Sequence, residues 1–418
     1  MKNFYYDKGT MFVEKIAMKS IAERYGTPSY IYSRAALTNN FLSYLEALDN
    51  QPHKICYSVK ANSNIAVLGI LAKLGAGFDI VSGGELERVI LAGGDPKKII
   101  FSGVGKTPEE MRRAIELGVH CFNVESEAEL KVLNDVAQSC KKIAPISLRV
   151  NPDVDANTHP YISTGLRENK FGIDIKKALD VYLKTKKLKS LKIIGVDCHI
   201  GSQLIETAPF IDALKRVLVL VDNLQEHGIH IEHLDIGGGL GVCYKNEKPP
   251  QIRDYVKEIV SNLEGRNITL ILEPGRSIVA DAGVLLTKVE YLKPGEEKNF
   301  AVIDAAMNDM IRPALYQAWL AVELVTDNKD LPKKWDIVGP ICETGDFIAK
   351  DRLLALRQGD LLCVRSAGAY GFSMSSNYNS RCKAAEIMVD GNNMYEIRKR
   401  ETVQDLVRGE SLLPNESK

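Results

Sequence analysis

Lys60 closes the apolar run KICYSVK (54–60), and a lysine amine at the rim of a strand can form a Schiff base with an aldehyde. Farther along, DIGGGLG (235–241) sets Gly237, Gly238 and Gly239 in a row. Such a turn exposes backbone N–H groups and lets an anion approach closely, although tight turns after strands also use glycine for its freedom alone. The segment Glu273-Pro274-Gly275-Arg276 adds a carboxylate, a further glycine and a cation, and His199 offers a flat aromatic face. Two other segments imitate chemistry without its full pattern. IFSGVGKT (100–107) ends like a phosphate-binding GxxxxGK[ST] loop but carries Ile100 where the first glycine belongs. HGIHIEH (227–233) holds His227, His230 and His233 without the spacing of a ligand set, so no metal is expected.

These residues need elements to hold them. Short β-rich runs at 54–60, 77–82, 99–103, 119–125, 146–151, 193–200, 232–237 and 269–273 alternate with amphipathic runs. The stretch 107–117 (TPEEMRRAIEL) typifies the latter: Thr107 is an N-cap, Pro108 suits the first helical position and acids fill the first turn. Eight strands each feeding a helix predict an α/β fold, a (β/α)8 TIM-type barrel over 36–280. An open doubly wound sheet would alternate in the same way. From 281 to 418 the rhythm changes to strands joined by turns, with one helical interruption near 312–324, which predicts a C-terminal β-sandwich or β-barrel domain. Residues 1–35, with a helix at 17–25 and a strand at 29–32, could join either unit and are grouped with the second.

Side chains alternate faces along a strand, and the apolar face of a barrel strand meets the helices. That parity turns Lys60, Asp79, Glu125, Arg149, His199 and Glu273 inward at the strands' C-terminal ends, the mouth where such barrels keep their active sites. Any one of them alone reads better as a solvated loop residue; six on matching parity read as a site. Barrels also bind phosphate at the loops after strands seven and eight, where 237–239 and 275–276 fall, so the ligand is read as phosphorylated. A lysine for an aldehyde, a carboxylate for a ring nitrogen, a flat face for stacking and a glycine turn for phosphate are together what pyridoxal 5′-phosphate requires.

Composition narrows the rest. Lys plus Arg and Asp plus Glu are both 54, so the chain lacks the basic excess of a nucleic-acid or anionic-membrane binder. No apolar run approaches the ~18 residues of a membrane span. The N-terminus has Asp7 and Glu14 and no apolar core of a secretory signal. The eight cysteines form no CxxC pair, which points to a reducing, cytoplasmic setting with mostly buried thiols.

The order of these segments resembles the alanine-racemase-like barrel decarboxylases that use pyridoxal phosphate. The resemblance is carried by YSVKAN (57–62), FDIVSGGEL (78–86), HPYISTG (159–165), KFGI (170–173) and HIGSQ (199–203). It continues through GGGLG (237–241), EPGRSIVADAG (273–283), MNDMIRPALY (307–316), CETGD (342–346) and AGAYGFSMSSNYN (367–379). The segments at 159–165 and 307–316 are the more specific ones, and they imply the branch that decarboxylates meso-2,6-diaminopimelate to L-lysine in the last step of lysine synthesis.

The resemblance assigns roles. It puts the cofactor's covalent anchor on Lys60, phosphate binding on Ser202, Gly239, Gly275, Arg276 and Tyr370, ring stacking on His199 and the ring-nitrogen contact on Glu273, with Pro274 alongside. Alanine racemases of this fold carry an arginine at that last position, so Glu273 favours a decarboxylase. It implies that Cys342 returns a proton to Cα, from a neighbouring subunit of a homodimer with shared sites. Arg276 and Arg312 would grip the distal carboxylate of the amino-acid substrate, with Tyr316, Glu343 and Tyr370 nearby, while Asp79 and Arg149 support the mouth. Read by spacing alone, Arg312 and Tyr316 are equally a snorkelling i, i+4 pair on an amphipathic helix. The rivals are a decarboxylase of ornithine, arginine or carboxynorspermidine, a non-catalytic cofactor-binding homologue, and a barrel of unrelated sugar-phosphate chemistry.

Overall fold

Eight parallel strands run in chain order around a closed circle: His53–Ser58, Gly77–Ile80, Ile99–Phe101, Cys121–Val124, Ala144–Asn151, Leu191–Asp197, His233–Asp235 and Thr269–Leu272. The circle closes where Leu270–Leu272 pair with His53–Ile55. This is the (β/α)8 barrel, and the open-sheet alternative is excluded by that last pairing. The computed structural model describes residues 3–154 and 170–414. The motif HPYISTG (159–165) therefore lies outside the described residues. The chain divides into two units, Ala36–Ala280, and Met1–Ala35 with Asp281–Lys418.

Local chemistry explains the barrel helices. Thr107 closes a capping box with Glu110, Pro108 starts the helix Pro108–Leu117, and left-handed Gly118 (φ 74°) ends it. Met111, Ala114 and Ile115, at i, i+3 and i+4, are its buried face. Several strands are shorter than their sequence runs. The first stops at Ser58 because Val59–Ala61 tighten into a 3-10 turn, so Lys60 stands on that turn and not on the strand. Glu125, His199 and Glu273 likewise lie just past their strands, on the loops of the mouth.

The second unit is β-rich. Its main sheet orders Phe347–Leu354, Lys333–Val338, Phe300–Ile303, Gly283–Lys293, Ser29–Ser33, Ala385–Asp390 and Asn393–Arg398. Ser29–Ser33 lies between Gly283–Lys293 and Ala385–Asp390, which fixes the N-terminal segment in this unit. A core of Met11, Met18, Ile21, Ile31, Leu286 and Ile387 packs there. The small sheet Phe4–Asp7, Thr10–Val13 and Ile16–Ala17 was not anticipated, its strands being too short for periodicity to register. The helical interruption expected near 312–324 is only Arg312–Tyr316; Gln317 turns left-handed (φ 52°), and Val322–Leu324 pairs as a strand with Leu362–Val364. All eight cysteines are free thiols, but only Cys56, Cys121, Cys198 and Cys363 are buried, fewer than expected. Among the described residues no helix is long and apolar enough to cross a membrane.

Candidate active site

The two decoy segments resolve first. Lys106 is buried and donates to the carbonyls of Gly103 (2.7 Å) and Asn123 (2.8 Å) and to Glu129 Oε1 (2.6 Å), so its charge ties one βα loop to the next strand and helix. His227 and His230 are exposed, whereas His233 is buried beside His120, with ring centroids 5.4 Å apart. The three histidines of 227–233 do not converge.

At the barrel mouth Lys60 Nζ lies 2.8 Å from Asp79 Oδ2, which also accepts from Ser58 Oγ at 2.8 Å. Asp79 is fully buried, so its charge is held by these donors and not by water. The Ser58 hydroxyl donates as well to the Glu273 carbonyl (3.0 Å), and the Ser58 N–H donates to the carbonyl of Pro274 (3.1 Å). Strand one and the loop after strand eight are thus fastened to each other beside Lys60. Arg149 donates to Glu125 Oε1 (3.0 Å) and stacks over Phe171, while Glu125 Oε2 accepts the Gly172 N–H at 2.9 Å.

The glycine turn has little room for side chains. A Cβ on Gly237 would fall 2.6 Å from His199 Nδ1, one on Gly238 2.1 Å from the Glu273 carbonyl oxygen, and one on Gly239 2.4 Å from the Gly201 carbonyl oxygen. Gly239 also has φ 109°, which only glycine adopts readily. The Gly238 N–H donates to His199 Nδ1 at 3.3 Å. Burial, with Arg149 and Lys60 nearby, holds the His199 imidazole neutral by pushing its pKa well down. Arg276, 7% exposed, donates to Ser202 Oγ (2.9 Å) and to the Tyr244 hydroxyl (2.7 Å). Glu273 is 6% exposed, its Oε1 has no hydrogen-bond partner among the described residues, and burial beside Asp235, Asp79 and Asp197 pushes its pKa well up.

The mouth therefore brings together Lys60, Asp79, His199, Ser202, Gly239, Glu273, Pro274, Gly275 and Arg276, with Arg149 in the same charged ring. These groups fit pyridoxal phosphate. An amine stands on a carboxylate, a carboxylate oxygen is open to a donor, and a close-walled glycine turn adjoins a buried arginine. Sequence reasoning missed Ser58, Tyr244, Asp197 and Asp235. Ser58 and Asp197 share strand parity with Lys60 and His199, and that was the available signal.

The β-rich unit carries the remaining residues. Arg312 is 6% exposed at the start of the short helix, and its burial removes the snorkelling reading. Tyr316 and Tyr370 are partly buried, and Tyr370 is left-handed (φ 55°). Cys342 and Glu343 are exposed. Their loop is pinned from beneath: Asp346, 3% exposed, accepts the N–H groups of Met307 (2.6 Å) and Ile341 (2.8 Å), and Asn379 Oδ1 accepts the Cys342 N–H (2.8 Å). One buried carboxylate thus ties the loop of Cys342 to the segment leading into Arg312. A cavity of about 690 Å3 adjoins both, lined by Pro313, Gln317, Trp319, Thr344 and Arg352 among others.

Comparison with known proteins places this geometry in context. Residues 34–280 match the pyridoxal binding domain of pyridoxal-dependent decarboxylases. Diaminopimelate decarboxylase of Pseudomonas aeruginosa is 63% identical over 99% of this chain and 100% of its own. That of Vibrio cholerae is 58% identical over 98% and 99%. Among solved structures, diaminopimelate decarboxylase from Helicobacter pylori complexed with L-lysine superposes with a TM-score of 0.90 at 44% identity, covering 93% of this chain and 98% of that one. The enzyme from M. jannaschii in co-complex with L-lysine gives 0.93 at 37% identity, covering 99% and 98%.

Proposed function

The chain belongs to the diaminopimelate decarboxylases, within the pyridoxal-dependent decarboxylase family, and from that premise we propose how its residues divide the work. Its reaction is the decarboxylation of meso-2,6-diaminopimelate to L-lysine and CO2, with pyridoxal 5′-phosphate as cofactor. The observation that carries the reading is the barrel mouth, where Lys60 stands on buried Asp79 beside the glycine turn, Arg276 and Glu273.

When bound, the cofactor supplies the electron sink for the carbon–carbon bond that breaks. Lys60 anchors its aldehyde carbon, and Asp79 and Ser58 orient that amine. Glu273 holds a proton on the ring nitrogen, since a carboxylate favours the charged form of a neighbouring base. His199, kept neutral, gives the ring a flat face without adding a cation. The N–H groups of 237–239, Ser202, Gly275 and Arg276 receive the phosphate, with Tyr370 assigned there as well. Arg312 reads the distal carboxylate with Arg276, because a guanidinium fork matches two oxygens. Glu343 answers the distal ammonium, and Tyr316 and Tyr370 flank it. A lone distal cation, as in ornithine, would leave Arg312 without its partner.

Cys342 returns the proton to Cα from its thiol. The exposure of Cys342 and Glu343 supports a homodimer in which this loop of one chain closes the barrel mouth of the other. A cytoplasmic setting suits eight free thiols. The testing experiment is CO2 release from meso-diaminopimelate against ornithine and arginine, with and without added cofactor. Release from diaminopimelate alone, dependent on the cofactor, is expected; equal release from ornithine would overturn the role of Arg312.

A further inference from the structure

The barrel interior holds more carboxylates than the reaction uses. The register sets Asp197 directly against Asp235 on strands six and seven, and Asp235 against Ile271 on strand eight, two residues before Glu273. Oxygens of Asp197, Asp235 and Glu273 all lie within 4.8 Å of one another. The three residues are 2%, 0% and 6% exposed.

Charge at the mouth is unbalanced. Asp79, Glu125, Asp197, Asp235 and Glu273 face three cations, Lys60, Arg149 and Arg276, and the last hydrogen-bonds Ser202 and Tyr244. Lys60 bridges to Asp79 and Arg149 to Glu125, and among the described residues no ion pair reaches the other three. The histidine at the mouth, His199, is neutral, and burial keeps the thiols Cys56, Cys121 and Cys198 neutral. Three buried carboxyls this close cannot all carry charge. Asp197 Oδ1, Asp235 Oδ2 and Glu273 Oε1 are each buried without a donor among the described residues. The donors that such acceptors lack are protons held by the carboxyls themselves.

We propose that Asp235 is a positioning residue that works protonated: its carboxyl O–H donates to Glu273 while its other oxygen accepts the Gly237 N–H. The second contact is direct, Gly237 N to Asp235 Oδ1 at 2.8 Å, and the Asp235 side chain lies against Glu273 and Asn123. One side chain at the end of strand seven then sets both the carboxylate and the glycine turn. The inference rests on the reading of Glu273 as the ring-nitrogen partner. Opposite a protonated ring nitrogen Glu273 would carry the negative charge, which leaves the proton to Asp235. Burial, the largest influence, pushes Asp235 up to about 7.

Asparagine distinguishes this role from an ionised one, because its amide oxygen keeps the Gly237 contact and its NH2 donates permanently where the carboxyl proton would. Holoenzyme carrying Asp235→Asn is expected to keep kcat within about 3-fold of the parent, whereas Asp235→Ala falls about 10- to 100-fold with KM little changed, the size of a lost hydrogen bond to a charged group. Independently of turnover, the parent should show infrared carbonyl bands of protonated carboxyls that shift in D2O, and Asp235→Asn should lose the one that belongs to Asp235. An Asp235→Asn enzyme as slow as Asp235→Ala, with both melting at the parental temperature, would overturn the proposal. So would persistence of every such band in Asp235→Asn, and if Asp235→Ala does not fold the bands alone decide. Parental kcat in Glu273→Gln would instead remove the reading of Glu273 and leave the infrared result standing.

Discussion

The barrel mouth and the loop of Cys342 solve opposite problems. At the mouth the cations are answered inside one unit: half-buried Lys60 by Asp79, buried Arg149 by Glu125, buried Arg276 by Ser202 and Tyr244. On the loop, the side chains of Cys342 and Glu343 are exposed, and what is buried is the clamp beneath them, Asp346. A buried charge has to be satisfied by the chain that buries it, or folding pays its desolvation. If Cys342 is the proton donor proposed above, its exposed thiol needs cover from elsewhere. The difference teaches that the barrel is preorganised for the cofactor, while the loop is pinned through its backbone and leaves its side chains uncovered.

The hardest way to break the first region is Lys60→Ala. Activity should fall by several orders of magnitude, the size of effect seen when a covalent catalytic residue is lost. The absorbance of bound cofactor should change with it. Borohydride reduction of the parent followed by peptide mapping should label Lys60; a label on another lysine would transfer the anchor there.

Two further changes separate the regions. Lys106→Met leaves Glu129, whose side chain is 8% exposed, without its 2.6 Å partner. Breaking such a buried pair should cost about 3–5 kcal/mol of stability, read by urea unfolding. Its effect on KM should be small, since Lys106 meets the carbonyls of Gly103 and Asn123, Glu129 and the Phe101 ring, none of them assigned to the site; a normal unfolding midpoint would show that the pair contributes little. Arg312→Ala should do the reverse. Weakened binding of diaminopimelate by about 2–5 kcal/mol, or about 30- to several-thousand-fold, is expected with cofactor affinity unchanged. Normal kinetics in that variant would remove its role and weaken the substrate assignment.

Much of this was legible because strand parity is rigid. Knowing only that alternate residues face inward, Lys60, Asp79, Arg149, His199 and Glu273 fall on one rim, and Lys60 and Asp79 do meet. What parity cannot supply is register. Asp197 and Asp235 face each other because Leu191–Asp197 pairs with His233–Asp235 at one offset, which a three-residue strand does not announce in its sequence. Tyr244 and Asp346 act through loops, where no period exists to read. The same gap explains the helix expected over 312–324: its apolar residues were counted as helical, but Gln317 takes a left-handed turn and Val322 enters a sheet strand.

The smallest signal sharpens the comparison most, because it asks whether the two regions work across chains. Lys60→Ala and Cys342→Ala homodimers should each be severely impaired. If each site pairs Lys60 of one chain with Cys342 of the other, a mixed dimer has one site carrying both lesions and one carrying neither. Random reassortment makes about half the dimers mixed, each with one intact site, so activity should recover to about a quarter of the parent value if sites act independently. Were each site built within one chain, every site in the mixture would keep one lesion, and no activity would return. The measurement is CO2 release after subunit exchange, with native mass spectrometry counting mixed dimers. Mixed dimers without recovery would refute the shared site. They would leave the barrel mouth as it is and require Cys342 to reach Cα within its own chain.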